Sequence, residues 1–384
     1  MSAEQTPRAL RHNIVIVGRR NAGKSSLLNA MTGQDISIVS AEAGTTTDAV
    51  QKAYELLPLG PVTFYDTAGL DDDSVLGQER IRSTRKTLFK ADVAVFVIGE
   101  KGLDNFDKQI IADIRRMQIP LVVAFNKSDR KTPETADTAY CRDSNIACIS
   151  VSATEGHGID RLKKLIIAAV PEEDKKPVSL LGGIVDAKDK VVLVTPIDSS
   201  APKGRLILPQ VQLLREILDM PAVAMVTQTN ELAGTLAALK ETPRIVITDS
   251  QAVLQVDKIV PQDVAMTTFS ILFARLKGDL PILAEGSKTI DKLENGAKIL
   301  IAEACSHHAQ TDDIAKVKIP NWLQKYCGKK LEFDFCTGSD FPEDLEKYQL
   351  VIHCGACMLN RAEMNRRLKE CVHRGVAITN YGLT

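Results

Sequence analysis

Three observations predict an α/β protein of three consecutive α/β domains, a P-loop domain followed by two parallel-sheet domains. Apolar, β-rich runs alternate with helical patterns along the chain, an order that builds parallel sheets. The first of these runs leads straight into a glycine-rich turn and then a helix, as a phosphate-binding loop requires. A charged stretch bracketed by Pro171 and Pro177 separates this part from the rest, as a linker would. The expected domains are 1–172, 178–262 and 266–384.

At 384 residues the chain is too long for one compact core. Its 48 basic and 49 acidic residues nearly cancel, which excludes the electrostatic footprint of a general nucleic-acid binder. No apolar run reaches the roughly 18 residues that span a bilayer, and the polar start, Met1 to Arg8, lacks a signal-peptide pattern. A cytoplasmic protein is expected, so its eight cysteines should be thiols or metal ligands.

Asn13 to Val17 reads as a buried strand, followed by Gly18-Arg19-Arg20-Asn21-Ala22-Gly23-Lys24-Ser25 and the helical Ser26 to Met31. Glycines let backbone N–H groups close around a β-phosphate, Lys24 neutralises β and γ charge, and Ser25 holds Mg²⁺. Val62 to Tyr65 leads into Asp66-Thr67-Ala68-Gly69, an acid for the Mg²⁺ shell and a glycine N–H for the γ-phosphate. Leu121 to Phe125 leads into Asn126-Lys127-Ser128-Asp129; Asp129 accepts from the N1 and N2 donors of guanine, a pairing adenine cannot offer. Ser152 and Ala153 follow a further run and suit a backbone contact with guanine O6. The nucleotide site therefore runs through Asn21, Ala22, Gly23, Lys24, Ser25, Ser26, Asp66, Gly69, Asn126, Lys127, Asp129, Ser152 and Ala153.

On these motifs residues 11–170 resemble the small GTPase domains of the Era and TrmE-like group. The resemblance implies a P-loop GTPase in which Thr46, within Thr45-Thr46-Thr47, ligates Mg²⁺ when the γ-phosphate is present. Lys24, Thr46 and Gly69 are then the catalytic set, and Asn21 matches the asparagine that holds K⁺ in many relatives. Leu70 stands where Ras-like proteins carry a water-positioning glutamine. An arginine finger is worth about 10³–10⁵ in turnover, and only Arg19 and Arg20 in the loop offer one in cis. Slow, potassium-stimulated hydrolysis is expected, from a switch first and a catalyst second.

Beyond the linker, Lys190 to Pro196, Ala222 to Val226 and Arg244 to Thr248 read as strands, with a helix at Gln210 to Leu218. This block holds neither cysteine nor histidine, which suits a structural task. The last block opens near Met266 with a helix at Ser270 to Leu276. Lys298 to Ala302 runs into Ala304-Cys305-Ser306-His307, and Val351-Ile352 runs into His353-Cys354-Gly355-Ala356-Cys357. If the two runs are neighbouring parallel strands, both ligand clusters reach one rim, where open α/β sheets bind ligands. Soft sulfur and imidazole donors at such spacing suit a metal, whose identity composition leaves open. Cys141, Cys148, Cys327, Cys336 and Cys371 lack paired spacing and read as packing residues, and His308 as a bystander. A helix at Met364 to Cys371 and a strand at Val376 to Thr379 close the block.

The order of domains, with Cys305-Ser306-His307 and His353-Cys354-Gly355-Ala356-Cys357, resembles the HydF family of FeFe-hydrogenase maturation GTPases over nearly the whole chain. That resemblance implies a 4Fe-4S cluster on Cys305, Cys354 and Cys357, and a homodimer formed through the middle domain. It implies a scaffold and carrier that receives diiron-subcluster precursors from the radical-SAM maturases HydE and HydG and delivers the subcluster to apo FeFe-hydrogenase. Its cofactors would be the 4Fe-4S cluster, GTP, Mg²⁺, K⁺ and, transiently, the diiron subcluster. The fourth iron then needs a ligand other than a local thiolate, for which His353 and His307 are the candidates. The family continues past Asn380-Tyr381-Gly382 with a further helix, which implies a shortened last domain here. Two readings compete: an RNA-modifying or ribosome-assembly GTPase with structural zinc, and a Cys-x-x-Cys oxidoreductase. Against the first stand a pI near 6.6 and 4% aromatic residues, which give neither a phosphate-binding face nor a stacking platform. The second leaves Cys305 and both histidines idle.

Overall fold

A computed structural model describes residues 6–33, 49–70, 75–175, 179–197, 204, 206–304, 314–338 and 340–384. Thr46, Cys305 and His307 lie outside the described residues. Two compact units are formed, Met1–Pro177 and Val178–Thr384.

In the first unit β1 (His12–Gly18), β2 (Val50–Leu56), β3 (Gly60–Asp66), β4 (Val93–Ile98), β5 (Leu121–Phe125) and β6 (Ala147–Ser150) form one sheet of order β2-β3-β1-β4-β5-β6. All neighbours are parallel except β2, which runs antiparallel to β3. The strands β1, β4 and β5 are almost wholly apolar because helices cover both faces. Ile14 and Ile16 pack with Leu27 on one side, while Val15 and Val17 pack with Ile111 on the other. The chain leaves β1 toward β3 on one flank and returns to β4 on the other, which opens a crevice at the carboxyl end of β1.

The second unit contains two four-stranded parallel sheets. One has β7 (Lys190–Val194), β8 (Val223–Thr227), β9 (Ile245–Thr248) and β10 (Ala265–Thr268) in the order β10-β9-β7-β8. The boundary expected at 262–266 meets this sheet: β10 is short and mostly polar, yet it pairs with β9 from Ala265↔Ile245 to Thr268↔Thr248. Sequence patterning overlooks such a strand because its ladder bonds, not its side chains, hold it.

The other sheet has β11 (Lys298–Glu303), β12 (Glu332–Thr337), β13 (Leu350–His353) and β14 (Ala377–Asn380) in the order β12-β11-β13-β14. The expected pairing of the two ligand-bearing strands is observed, with Ile299↔Leu350 through Ala302↔His353 in register. Here too the chain goes to one flank after β11 and to the other for β13, so their carboxyl ends flank the switch point.

Helix Phe269–Lys277 lies between the two sheets of this unit. Thr268 caps it by accepting from the Ile271 N–H at 3.2 Å. Phe269, Leu272, Phe273 and Leu276 join the core of the β7–β10 sheet, and Ala274 joins that of the β11–β14 sheet. Next to it, helix Leu280–Ser287 packs on β14 so closely that a Cβ on Gly286 would lie 1.9 Å from the Ile378 carbonyl oxygen. Gly286→Ala should therefore overpack this contact and lower stability by about 1–3 kcal/mol, read from denaturant unfolding; a curve superimposable on the wild type would contradict the close packing.

Candidate nucleotide and metal sites

The phosphate loop begins at Gly18, where a Cβ would meet the Val97 carbonyl oxygen at 2.3 Å. It ends at Gly23, left-handed at φ 89°, the N-cap of helix Lys24–Thr32. Lys24 is buried and turns back over the loop, donating to the Gly18 and Arg19 carbonyls at 3.1 and 2.9 Å. The ammonium thus sits where phosphate oxygens would replace those carbonyls. Asn21 is exposed on a left-handed backbone at φ 60°.

Ser25 donates to Asp66 Oδ2 at 2.5 Å. Asp66 Oδ1 is buried without a hydrogen-bond partner among the described residues, and burial raises the carboxyl pKa against the pull of Ser25 and Lys24. A buried carboxylate oxygen with an open lone pair beside a hydroxyl fits a divalent cation or its bound water. Gly69 lies against the loop, with room for no Cβ between it and the Arg20 backbone at 2.6 Å. Leu70 is buried in the core, so no side chain at that position orients water.

The base-recognition loops are stitched to the phosphate loop by Asn126. Its Nδ2 donates to the Ala22 carbonyl at 3.0 Å, and its Oδ1 accepts from the Ala153 N–H at 3.1 Å. The Ser152 hydroxyl holds the Asp129 carboxyl below its usual range, which keeps it a hydrogen-bond acceptor. Lys127 pairs with Glu100 at 3.1 Å. Arg19, a candidate finger, is instead tied to the start of helix Asn105–Arg116: it pairs with Asp104 and, at 3.0 Å, with Asp107, and lies over Phe106. Its anchors stand far away in sequence, and only the fold reveals them.

At the second site, Cys354 continues the ladder from β13, its N–H donating to Ala302 at 2.9 Å. Its Sγ accepts from the Ala304 N–H at 3.1 Å and the Ala356 N–H at 3.5 Å. The residue after Ala304 is Cys305; the chain thus leaves β11 alongside the Cys354 sulfur. Burial pushes the Cys354 thiol up to about 11 and also raises that of Cys357, so metal binding here would release protons. Amide donors aimed at sulfur, with a second thiol three residues on, fit a thiolate-ligated metal.

Ala356 is left-handed at φ 55° without being glycine, which costs roughly 1–2 kcal/mol. Lys277, from helix Phe269–Lys277, is 2% exposed and reaches this turn, donating to the carbonyls of Ala356, Cys357 and Leu359 at 3.0, 3.0 and 2.6 Å. Burial lowers its pKa to about 8, against the pull of Cys357 and Cys354.

His353 does not face the turn with a free lone pair. The ring is fully buried, Nδ1 donates to the Cys354 carbonyl at 2.9 Å, and Nε2 accepts from Arg367 at 3.0 Å. Burial and then the Arg367 cation lower its pKa to about 3, which keeps it neutral. Arg367, also fully buried, pairs with Glu363 at 2.8 Å and donates to Gly338. Nε2 thus holds the end of β13 to helix Arg361–His373 through Arg367, while Nδ1 is taken up by the carbonyl of the next residue. Trp322 is 46% exposed on helix Ile319–Cys327, and Cys141 and Cys371 are core residues. No group of three His, Cys, Asp or Glu side chains gathers into a metal cage among the described residues; Cys305 lies outside them.

GTPase Der of Kosmotoga olearia is 32% identical over 50% of this chain and 45% of its own. The tRNA modification GTPase MnmE of Legionella pneumophila is 36% identical over 40% of this chain and 33% of its own. The chain thus spans less than half the length of these relatives. Among solved structures, Era of Aquifex aeolicus bound to GDP and AlF₄⁻ overlaps 56% of this chain and 92% of its own, at TM-score 0.37 and 23% identity. A family model described as "50S ribosome-binding GTPase" matches residues 13–127. "Hydrogen maturase F dimerization domain" matches 180–278 and "Hydrogen maturase F tetramerization domain" matches 281–384. Carrying a GTPase domain followed by both of these domains, the chain belongs to the hydrogen maturase F family of GTPases.

Proposed function

We propose that this hydrogenase-maturation GTPase is a GTP-switched scaffold and carrier that holds a 4Fe-4S cluster on Cys305, Cys354 and Cys357. Its cargo would be the diiron subcluster of FeFe-hydrogenase, built with the radical-SAM maturases HydE and HydG and passed to apo-hydrogenase by an oligomer whose minimal unit is a homodimer. One observation carries the reading: the Ala304 N–H donates to the Cys354 sulfur across the β11–β13 switch point, which supports convergence of Cys305 with the Cys354–Cys357 turn. When bound, the cluster would supply an iron that three thiolates leave open to exchange, suited to attaching a second metal unit. His353 holds Arg367 instead of that corner.

In the GTPase domain Lys24 neutralises the phosphates, Ser25 and Asp66 receive Mg²⁺ together with Thr46, and Gly69 meets the γ-phosphate. Lacking a glutamine at position 70 and with Arg19 bound to Asp104 and Asp107, the domain hydrolyses GTP slowly and relies on K⁺ at Asn21. Nucleotide state then acts on the contacts of the scaffold with its maturases.

Anaerobic reconstitution with iron and sulfide tests the scaffold. Brown protein absorbing broadly near 400 nm is expected, with the cluster lost in Cys305→Ala, Cys354→Ala and Cys357→Ala but kept in Lys24→Ala. Colourless protein with stoichiometric zinc would favour an RNA-directed GTPase, the reading suggested by the tRNA-modification relatives. His353→Ala should act on the fold: it leaves a buried guanidinium short of an acceptor and costs about 1–3 kcal/mol of stability in metal-free protein. A stable His353→Ala variant that loses the cluster would make the imidazole a ligand after all. Exchange of K⁺ for Na⁺ should slow GTP hydrolysis severalfold; equal rates in the two salts would remove K⁺ from Asn21.

A further inference from the structure

The last residue of helix Phe269–Lys277 is a lysine almost wholly withdrawn from water. A lysine is seldom buried unless its charge is paired. Its Nζ has three acceptors, the carbonyls of Ala356, Cys357 and Leu359, which matches the three donors of an ammonium and exceeds the two of a neutral amine. The Phe273 ring lies 5.5 Å away, its face toward the charge. No carboxylate pairs with Lys277 among the ion pairs of the described residues. What the charge faces instead is the turn carrying Cys354 and Cys357. The same helix also bears on that turn at its other end, where Ser270 packs against Gly355.

We propose that Lys277 is a positioning residue of the cluster site, which fixes the Cys354–Cys357 turn through three carbonyls and sets a buried positive charge against the thiolates of the bound cluster. The inference rests on the scaffold reading above. Its physical content has two halves. The carbonyl bonds hold Ala356 in its left-handed conformation, and with it the Ala356 N–H on the Cys354 sulfur. A fixed cation in a low-dielectric site favours the more negative, reduced state of a cluster and so raises its potential.

Lys277→Gln keeps two donors and removes the charge, whereas Lys277→Met removes both. The full chain of each variant is reconstituted anaerobically with iron and sulfide, and the cluster is titrated by EPR at controlled potential. Both variants should have midpoint potentials more negative than the wild type. In metal-free protein, Lys277→Met should also speed amide hydrogen exchange across the Cys354–Leu359 turn about tenfold, followed by mass spectrometry, with Lys277→Gln between it and the wild type. Should Lys277→Met not fold, Lys277→Gln alone still decides both halves. A brown wild type whose variants share its potential and amide exchange rates would overturn the inference while leaving the scaffold reading standing. A wild type that takes up no iron would overturn the scaffold reading and the charge half together; amide exchange, which needs no metal, would still decide the positioning half.

Discussion

Much of the second unit depends on one parallel pair, β11 with β13. Parallel strands cannot be joined by a tight turn, so each must be followed by a crossover, and here the crossovers depart to opposite flanks. Among the described residues, no further strand fills the gap that the backbone beyond both strands faces. Amide groups there have lost their ladder partners, and the Ala304 N–H finds the Cys354 sulfur instead. Backbone hydrogen bonds to this sulfur favour the thiolate, while burial holds the thiol up at about 11, so the proposed metal would decide which of the two prevails.

The GTPase domain solves a related problem with different means. Its phosphate loop must hold several backbone N–H groups open without a ligand, and the restraint comes from contacts with neighbouring loops. Asn126 ties Ala22 to Ala153, Gly69 abuts Arg20, and Lys24 folds onto carbonyls of its own loop. Preorganisation of this kind lowers the cost of ordering when a nucleotide arrives. Asp66 supplies the opposite tendency: one buried oxygen lacks a partner among the described residues, a local deficit that a cation would remove.

Much of this was legible from residue order because strand-to-loop transitions with glycine, acid or cysteine at their ends are local patterns. The runs at Leu121–Phe125 and Lys298–Glu303 are strands because they are continuous, apolar and bounded by turn residues. Other features were hidden for identifiable reasons. β12 is an edge strand, largely solvent-facing, so its residues show no apolar run. Lys277 lies one residue past the helix expected at Ser270 to Leu276, and His353 reads as a candidate ligand; their contacts are with carbonyls 79 to 82 positions away and with an arginine 14 away. The side-chain arrangement around Thr46, Cys305 and His307 lies outside the described residues.

Helix Phe269–Lys277 also bears on modularity. The two hydrogen maturase F domain models divide the chain between 278 and 281, directly after the residue that clasps the cysteine turn. A fragment cut at that seam would keep Cys305, Cys354 and Cys357, yet the carbonyls of Ala356, Cys357 and Leu359 would lose their common donor. Sequence families can thus separate what the physics joins: the segment counted with one domain is part of the floor of the other, and neither is an independent building block in the sense that its sheet alone suggests.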